Sequence, residues 1–287
     1  MNTLIEAPST EPACVVALHC SLGSGRQWTK LAAALGPGTP LIAPDLAGYG
    51  GTPGSFDLPM SLAQEVEGLR AALAQAKGPI HLVGHSYGGA IAFKIATTPA
   101  FSSRIRSLTL IEPVLPTLLK DSDADRRLHD RFVWLSHELY QDLWNGLTLE
   151  AIDKFTEFWR GSGPRDQLAP AARLRMIERA ERLAFDFTAA LAEEDPIGAA
   201  ASLRLPVLLL SGGLSPYLTQ RIAQRLAAVI DGAEFDHLPD AGHMLPLTHA
   251  AAVNAEIVRH IARADELARI PLMAGQPMAE VIRLARG

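Results

Sequence analysis

Cysteine is almost absent: the 287 residues hold only Cys14 and Cys20. The two lie in what reads as one extended strand, so their Cα atoms would stand roughly 20 Å apart, too far for a disulfide bond. That excludes a small scaffold stapled by disulfides. Long apolar runs are also lacking, since none approaches the ~18 residues needed to cross a bilayer. The first residues carry Glu6 and Glu11 without a positively charged start, so no signal peptide is read there. A dominant charge of one sign is missing too. The net charge is −5, with no long block of like charges, which argues against nucleic acid or an anionic membrane surface as a partner. A hydrophobic content of 48% with 20% charged residues is that of an ordinary soluble domain. The expectation is a reduced, cytoplasmic protein of enzyme size.

What is present is alternation. The apolar runs "CVVALHC" (14–20), "PLIAPDL" (40–46), "PIHLVGH" (79–85) and "IRSLTLIEP" (105–113) read as strands. Between them lie helical patterns in "RQWTKLAAALG", in "MSLAQEVEGLRAALAQA" (60–76, with Ser61 and Glu65 near its start) and in "YGGAIAFKIATT" (87–98), the last ended by Pro99. Such alternation predicts an α/β fold with a mostly parallel sheet covered on both faces. From 114 to 200 the pattern becomes helical and charged, with "RLRMIERAERLAFDFTAALAEED" the clearest periodic stretch. Alternation then resumes with strand "LPVLLLS" (205–211), helix 217–231, strand "AEFDHLP" (233–239) and a last core helix. The expected organisation is a core of residues 1–113 and 201–287, interrupted by a helical cap at 114–200. The tail 270–287 has a helical pattern without an assignable role.

"HLVGHSYGGA" is the most specific stretch. Gly84-His85-Ser86-Tyr87-Gly88 falls between a strand and a helix, which is the context of a nucleophile elbow. Ser86 must sit on a sharp turn for its oxygen to stand clear of the sheet. The following helix turns its N-terminus, with unsatisfied N–H groups, towards the same place. A serine there is inert without a base. Among nine histidines, His243 in "LPDAGHMLPLTH" follows the last strand and precedes the last core helix, where a base would be carried. His85 lies on the far side of the elbow, and His19 is placed to brace the turn after the first strand. Two backbone N–H groups would form an oxyanion hole: that of Tyr87, directly after the nucleophile, and that of Ser21 in the loop "LHCSLGSG".

These segments together resemble the α/β-hydrolases, capped serine hydrolases of esterase type, over about residues 14 to 265. The family's histidine-glycine turn, its Asp-x-x-Gly-x-Gly loop, the elbow, the cap and the late Gly-His are matched by "LHCSLGSG", "PDLAGYGGT", "GHSYGG", 114–200 and "AGHMLPL". Cys20 departs from the usual glycine and bears on the oxyanion turn. A second departure concerns the acid. Most relatives carry an Asp in the turn after the strand equivalent to "PVLLLS", and Ser215 stands in that turn here. Some relatives instead place the acid at the end of the strand after the elbow helix, where this chain has Glu112. A carboxylate closing an apolar strand is costly to bury without a partner, and His243 would be that partner. Asp240 is the weaker rival.

The resemblance implies a cofactor-independent serine hydrolase, most simply a carboxylesterase working through an acyl-enzyme on a hydrophobic ester of small to medium size. Carbon–carbon bond hydrolysis, a peroxidase side activity and a ligand-sensing scaffold without turnover are the alternatives. Epoxide or haloalkane hydrolysis is disfavoured, because those relatives carry Asp where this chain has Ser86. Nine of the seventeen aromatics lie between Phe132 and Phe187, and Trp134, Trp144, Phe158 and Trp159 are expected to line the pocket.

Overall fold

The computed structural model describes residues 11–51, 60–161 and 170–269; the tail 270–287 lies outside them. Six strands, β1 (Cys14–Leu18), β2 (Leu41–Ile42), β3 (Ile80–His85), β4 (Ile105–Ile111), β5 (Val207–Gly212) and β6 (Glu234–Leu238), form one sheet in the order β2-β1-β3-β4-β5-β6. Every pairing is parallel.

Parallel strands must bury both faces, and β1 shows how its sequence does so. Cys14, Val16 and Leu18 face one apolar core while Val15 and Ala17 face another. On the second face lie α1 (Thr29–Leu35), the short α12 (Leu245–Thr248) and α13 (Ala250–Leu267), through Leu31, Leu245, Val253 and Ile257. On the first face lie α2 (Leu62–Gly68), α3 (Arg70–Gln75), α4 (Tyr87–Thr97), the short α5 (Pro99–Ser102) and α11 (Tyr217–Val229). Among the described residues, five further α-helices stand between β4 and β5: α6 (Arg126–Trp144), α7 (Thr148–Arg160), α8 (Pro170–Ile177), α9 (Arg182–Leu191) and α10 (Pro196–Ser202). Phe132, Leu135, Ile152, Leu183 and Phe187 of this insertion join the first core. Each fully buried aliphatic side chain of this kind contributes about 1.5–3 kcal/mol.

The structure corrects some element boundaries. The expected strand 40–46 shortens to two residues, because Asp45 turns away to bind loop amides. The expected helix 60–76 is divided at Leu69, and the long periodic stretch after 173 is divided between α8 and α9. Ser61 caps α2 by accepting from the Gln64 amide at 3.2 Å. Among the described residues no helix is long and apolar enough to cross a membrane.

Candidate active site

The carboxyl ends of β3, β4 and β5 lie side by side, with His85 paired to Ile111 and Ile111 to Leu210. Ser86 and Glu112 directly follow the first two of these residues, so register alone makes them neighbours at the crest of the sheet. In open α/β sheets that crest is where ligands bind.

Ser86 has φ 56° and ψ −122°, a conformation that costs a non-glycine residue about 1–3 kcal/mol. The surroundings hold it there. Its N–H donates to the Ile111 carbonyl at 2.9 Å, and its own carbonyl accepts from Gly89, Ala90 and Val114 at 2.9 to 3.1 Å. A Cβ on Gly84 would stand 2.4 Å from the Gly88 carbonyl oxygen, and one on Gly88 only 2.3 Å from that of His19. Only glycine permits strand, turn and helix to approach so closely.

The Ser86 hydroxyl donates to His243 Nε2 at 2.9 Å, and His243 Nδ1 donates to Glu112 Oε2 at 2.5 Å. All three side chains are buried. Glu112 has φ 45°, which turns its side chain back over the end of β5. There Oε1 accepts from the Gly212 amide at 2.7 Å and the Ser211 hydroxyl at 3.3 Å, and Oε2 from Thr219 at 3.3 Å. Burial alone would push this carboxyl up, but the His243 contact and the Gly212 amide outweigh it and hold it below the ordinary carboxylate range. Ser215 is buried in the turn after β5, where its hydroxyl lies beside the Glu112 carboxyl and helps to hold it low. Asp240 is exposed and does not meet His243.

A second chain of hydrogen bonds fixes the backbone of His243. Gln27 accepts from the Cys20 amide at 3.2 Å and donates to His85 Nδ1 at 3.0 Å, and His85 Nε2 donates to the His243 carbonyl at 2.8 Å. These partners assign His85 as a neutral imidazole. Burial, then the neighbouring His243, pushes it well below the usual histidine range. His19 spans the other side of the site, accepting from the Leu46 amide at 3.0 Å and donating to the Cys20 carbonyl at 2.7 Å. Burial lowers it to about 4. Sequence gives no role to Gln27, which lies in no motif, or to His85, which fills the variable position of the elbow. Cys20 is buried and free, its thiol pushed up to about 12 by burial. The backbone N–H groups of Tyr87 and Ser21 have no acceptor among the described residues.

Ser86 and His243 open into a cavity of about 1460 Å³, lined further by Ser21, Leu22, Phe155, Trp159 and Met176 and by charged side chains that include Arg26, Asp45 and Arg179. Trp159 lies flat on the His243 ring, with centroids 4.5 Å apart. The other three aromatics expected there are elsewhere. On α6 the buried face carries Phe132, Leu135 and Leu139, and Trp134 is two residues, about 200° of helical turn, from Phe132. It is 57% exposed, and Trp144 is 79% exposed and stacks on Tyr140. Phe158 turns into the packing between α6 and α7, against Phe132 and Trp159. Among the described residues no group of three or more His, Cys, Asp or Glu side chains is arranged to hold a metal ion.

A serine on a strand-turn-helix, a histidine and a carboxylate thus meet at the carboxyl edge of a parallel sheet, and comparison with known proteins shows the family to which this fold belongs. The profile of the alpha/beta hydrolase family matches residues 15–256, and the chain belongs to that family. A lipase of Mycobacterium tuberculosis, LipV, is 38% identical over 105 residues, a match spanning 36% of this chain and 38% of the relative's length. Among solved structures, a bromoperoxidase from Bacillus anthracis superposes with a TM-score of 0.70 at 20% identity, covering 88% of this chain and 92% of that one. An esterase from Exiguobacterium antarcticum does so with a TM-score of 0.68 at 18% identity over 88% and 92%. At these identities the structural likeness speaks for the fold alone.

Proposed function

We propose that the protein is a serine carboxylesterase that cleaves hydrophobic esters through an acyl-enzyme, with no cofactor. The observation that carries this reading is the buried, continuous hydrogen-bonded line from Ser86 through His243 to Glu112. In it, Ser86 Oγ attacks the ester carbonyl carbon while its proton passes to His243 Nε2. The oxyanion of the tetrahedral intermediate is held by the Tyr87 and Ser21 amides. As the carbon–oxygen bond breaks, His243 returns the proton to the departing alcohol. Water then adds to the acyl-enzyme with His243 again as base, releasing the acid and restoring Ser86. Glu112 keeps the His243 proton on Nδ1, so that Nε2 is free to accept.

The cavity's apolar side chains suit an acyl or alcohol group of hydrophobic character. The relative from Mycobacterium tuberculosis bears the name lipase, and this reading extends ester hydrolysis to the present chain. Two free, buried cysteines suit a reducing compartment, and we place the protein in the cytoplasm on that ground.

The test is covalent labelling by a fluorophosphonate followed by intact-mass and peptide mass spectrometry. A single adduct on Ser86, absent from Ser86→Ala, is expected. A wild-type protein that forms no adduct and turns over no activated ester overturns the reading. A second expectation separates the aromatics. Trp159→Leu should raise KM for p-nitrophenyl esters several-fold, by removing a wall of the cavity. Trp134→Gln and Trp144→Gln should leave kcat/KM unchanged and stability within about 0.5 kcal/mol, as at other exposed sites. Steady-state kinetics and thermal melts of the three variants check this.

A further inference from the structure

Beneath the cavity lies a charged cluster that the proposed reaction does not use directly. Arg182, at the start of α9, forms a charge pair with Glu65 of α2 and a second with Asp186, one turn along its own helix, at 3.1 Å. Each of the three side chains is only 2% exposed. Glu65 Oε1 accepts from the Tyr87 hydroxyl at 2.8 Å. Asp186 Oδ2 accepts from the Ser21 hydroxyl at 2.5 Å and from the Tyr49 hydroxyl at 2.6 Å. The Arg182 guanidinium also lies over the Tyr49 and Tyr87 rings, 5.7 and 6.0 Å from their centroids.

Two facts set this cluster apart from ordinary packing. Burying one cation with two carboxylates is costly, and apolar residues of similar size would generally serve stability as well or better. The cluster also ends, by side chain, on Ser21 and Tyr87, the two residues whose backbone amides are the oxyanion donors of the proposed reaction. One donor is tied to Asp186, the other to Glu65, and Arg182 joins the two carboxyls.

We infer that Glu65, Arg182 and Asp186 are positioning residues that fix the separation of the two oxyanion donors, so that the inserted helix α9 is part of the catalytic apparatus. The inference rests on the serine-hydrolase reading above. Asp186 holds Ser21 against the cluster while Glu65 holds the first turn of α4. Losing either tether lets one amide drift while Ser86, His243 and Glu112 stay in place. The developing oxyanion is then under-stabilised, while the ground-state ester binds as before.

The experiment compares Ser21→Ala and Asp186→Asn with wild type on a short p-nitrophenyl ester. The nitrophenol burst counts assembled sites, and thermal melts report folding. Per counted site, kcat and the rate of fluorophosphonate labelling are expected to fall together by about 10- to 100-fold, with KM within about twofold. Ser21→Thr, which restores the hydroxyl, is expected to recover most of the loss. A purely structural cluster would lower the melting temperature and the number of active sites but leave kcat per site at the wild-type value, and that result in both variants overturns the inference. An unlabelled, inactive wild type overturns the serine-hydrolase reading itself, and this inference with it.

Discussion

Replacing Glu112 by Gln is expected to lower kcat by about 10³- to 10⁴-fold with little change in KM, the size of loss seen when a triad acid becomes its amide. The local hydrogen bonds fix the direction of the effect. Oε1 receives the Gly212 amide at 2.7 Å and Oε2 receives His243 Nδ1 at 2.5 Å. In the variant, the side-chain carbonyl must stay on Gly212, because turning the amide over would set two N–H groups against each other. The NH₂ then faces His243 Nδ1 and donates to it. His243 is forced to carry its proton on Nε2, the atom that must accept from Ser86. The fold should survive, since shape and the Gly212 bond are retained. Initial rates on an activated ester, normalised to protein shown folded by circular dichroism, make the comparison. A Glu112→Gln enzyme within tenfold of wild type would remove Glu112 from the catalytic line.

Much of this site was legible because it depends on local chemistry. The glycines around Ser86 follow from close approach of strand, turn and helix, and those distances belong to one contiguous stretch. Glu112 is read from the resemblance, as the acid that some relatives carry at the end of this strand, and from the cost of burying a carboxylate there without a partner. The register of β3 against β4 then carries it next to Ser86. The pocket aromatics were not legible, because aromatic content alone says nothing of helical phase. Trp159 and Phe158 are adjacent in α7, yet one faces the cavity and the other the packing. The Arg182 cluster was the least legible. Arg182 and Asp186 lie within the stretch that sequence shows only as helical and charged, and Glu65 shows only as a residue near a helix start. Their meeting needs a contact across 117 positions, which neither spacing nor composition encodes. The division of "RLRMIERAERLAFDF" between α8 and α9 had the same cause, since α9 begins where Arg182 enters the interior.

Arg182→Met is expected to destabilise the fold by about 3–5 kcal/mol at neutral pH, the range for removing one partner of a buried ion pair, and the loss should depend on pH. Burial pushes Glu65 up to about 7 and Asp186 up to about 6, with Arg182 the main influence pulling both down. Tyr49 and Tyr87, raised well above their ordinary range first by burial and then by Asp186, stay protonated as donors. Cys20 also stays neutral beside Asp186. A carboxyl whose folded pKa lies above its unfolded one takes up a proton on folding. Its contribution is full at low pH and is lost as pH rises through the folded value. In wild type this loss is complete near pH 7 for Asp186 and only about a unit higher for Glu65. Without the guanidinium both carboxyls move higher, so the variant goes on losing stability where wild type has levelled off. Buried His19 and His260, each lowered to about 4 by burial, act in the opposite sense, weakening the fold as pH falls below their ordinary range. They are common to both proteins and cancel in the difference. Urea unfolding of the two proteins at pH 5.5, 7 and 8.5 should therefore give a stability gap that is small in acid and widens with pH. Arg182→Lys, which keeps the charge but not the planar fork, should fall between them. A gap that stays constant across this range would mean that the two carboxyls do not depend on Arg182, and that the cluster is held together by its tyrosine and serine hydroxyls instead.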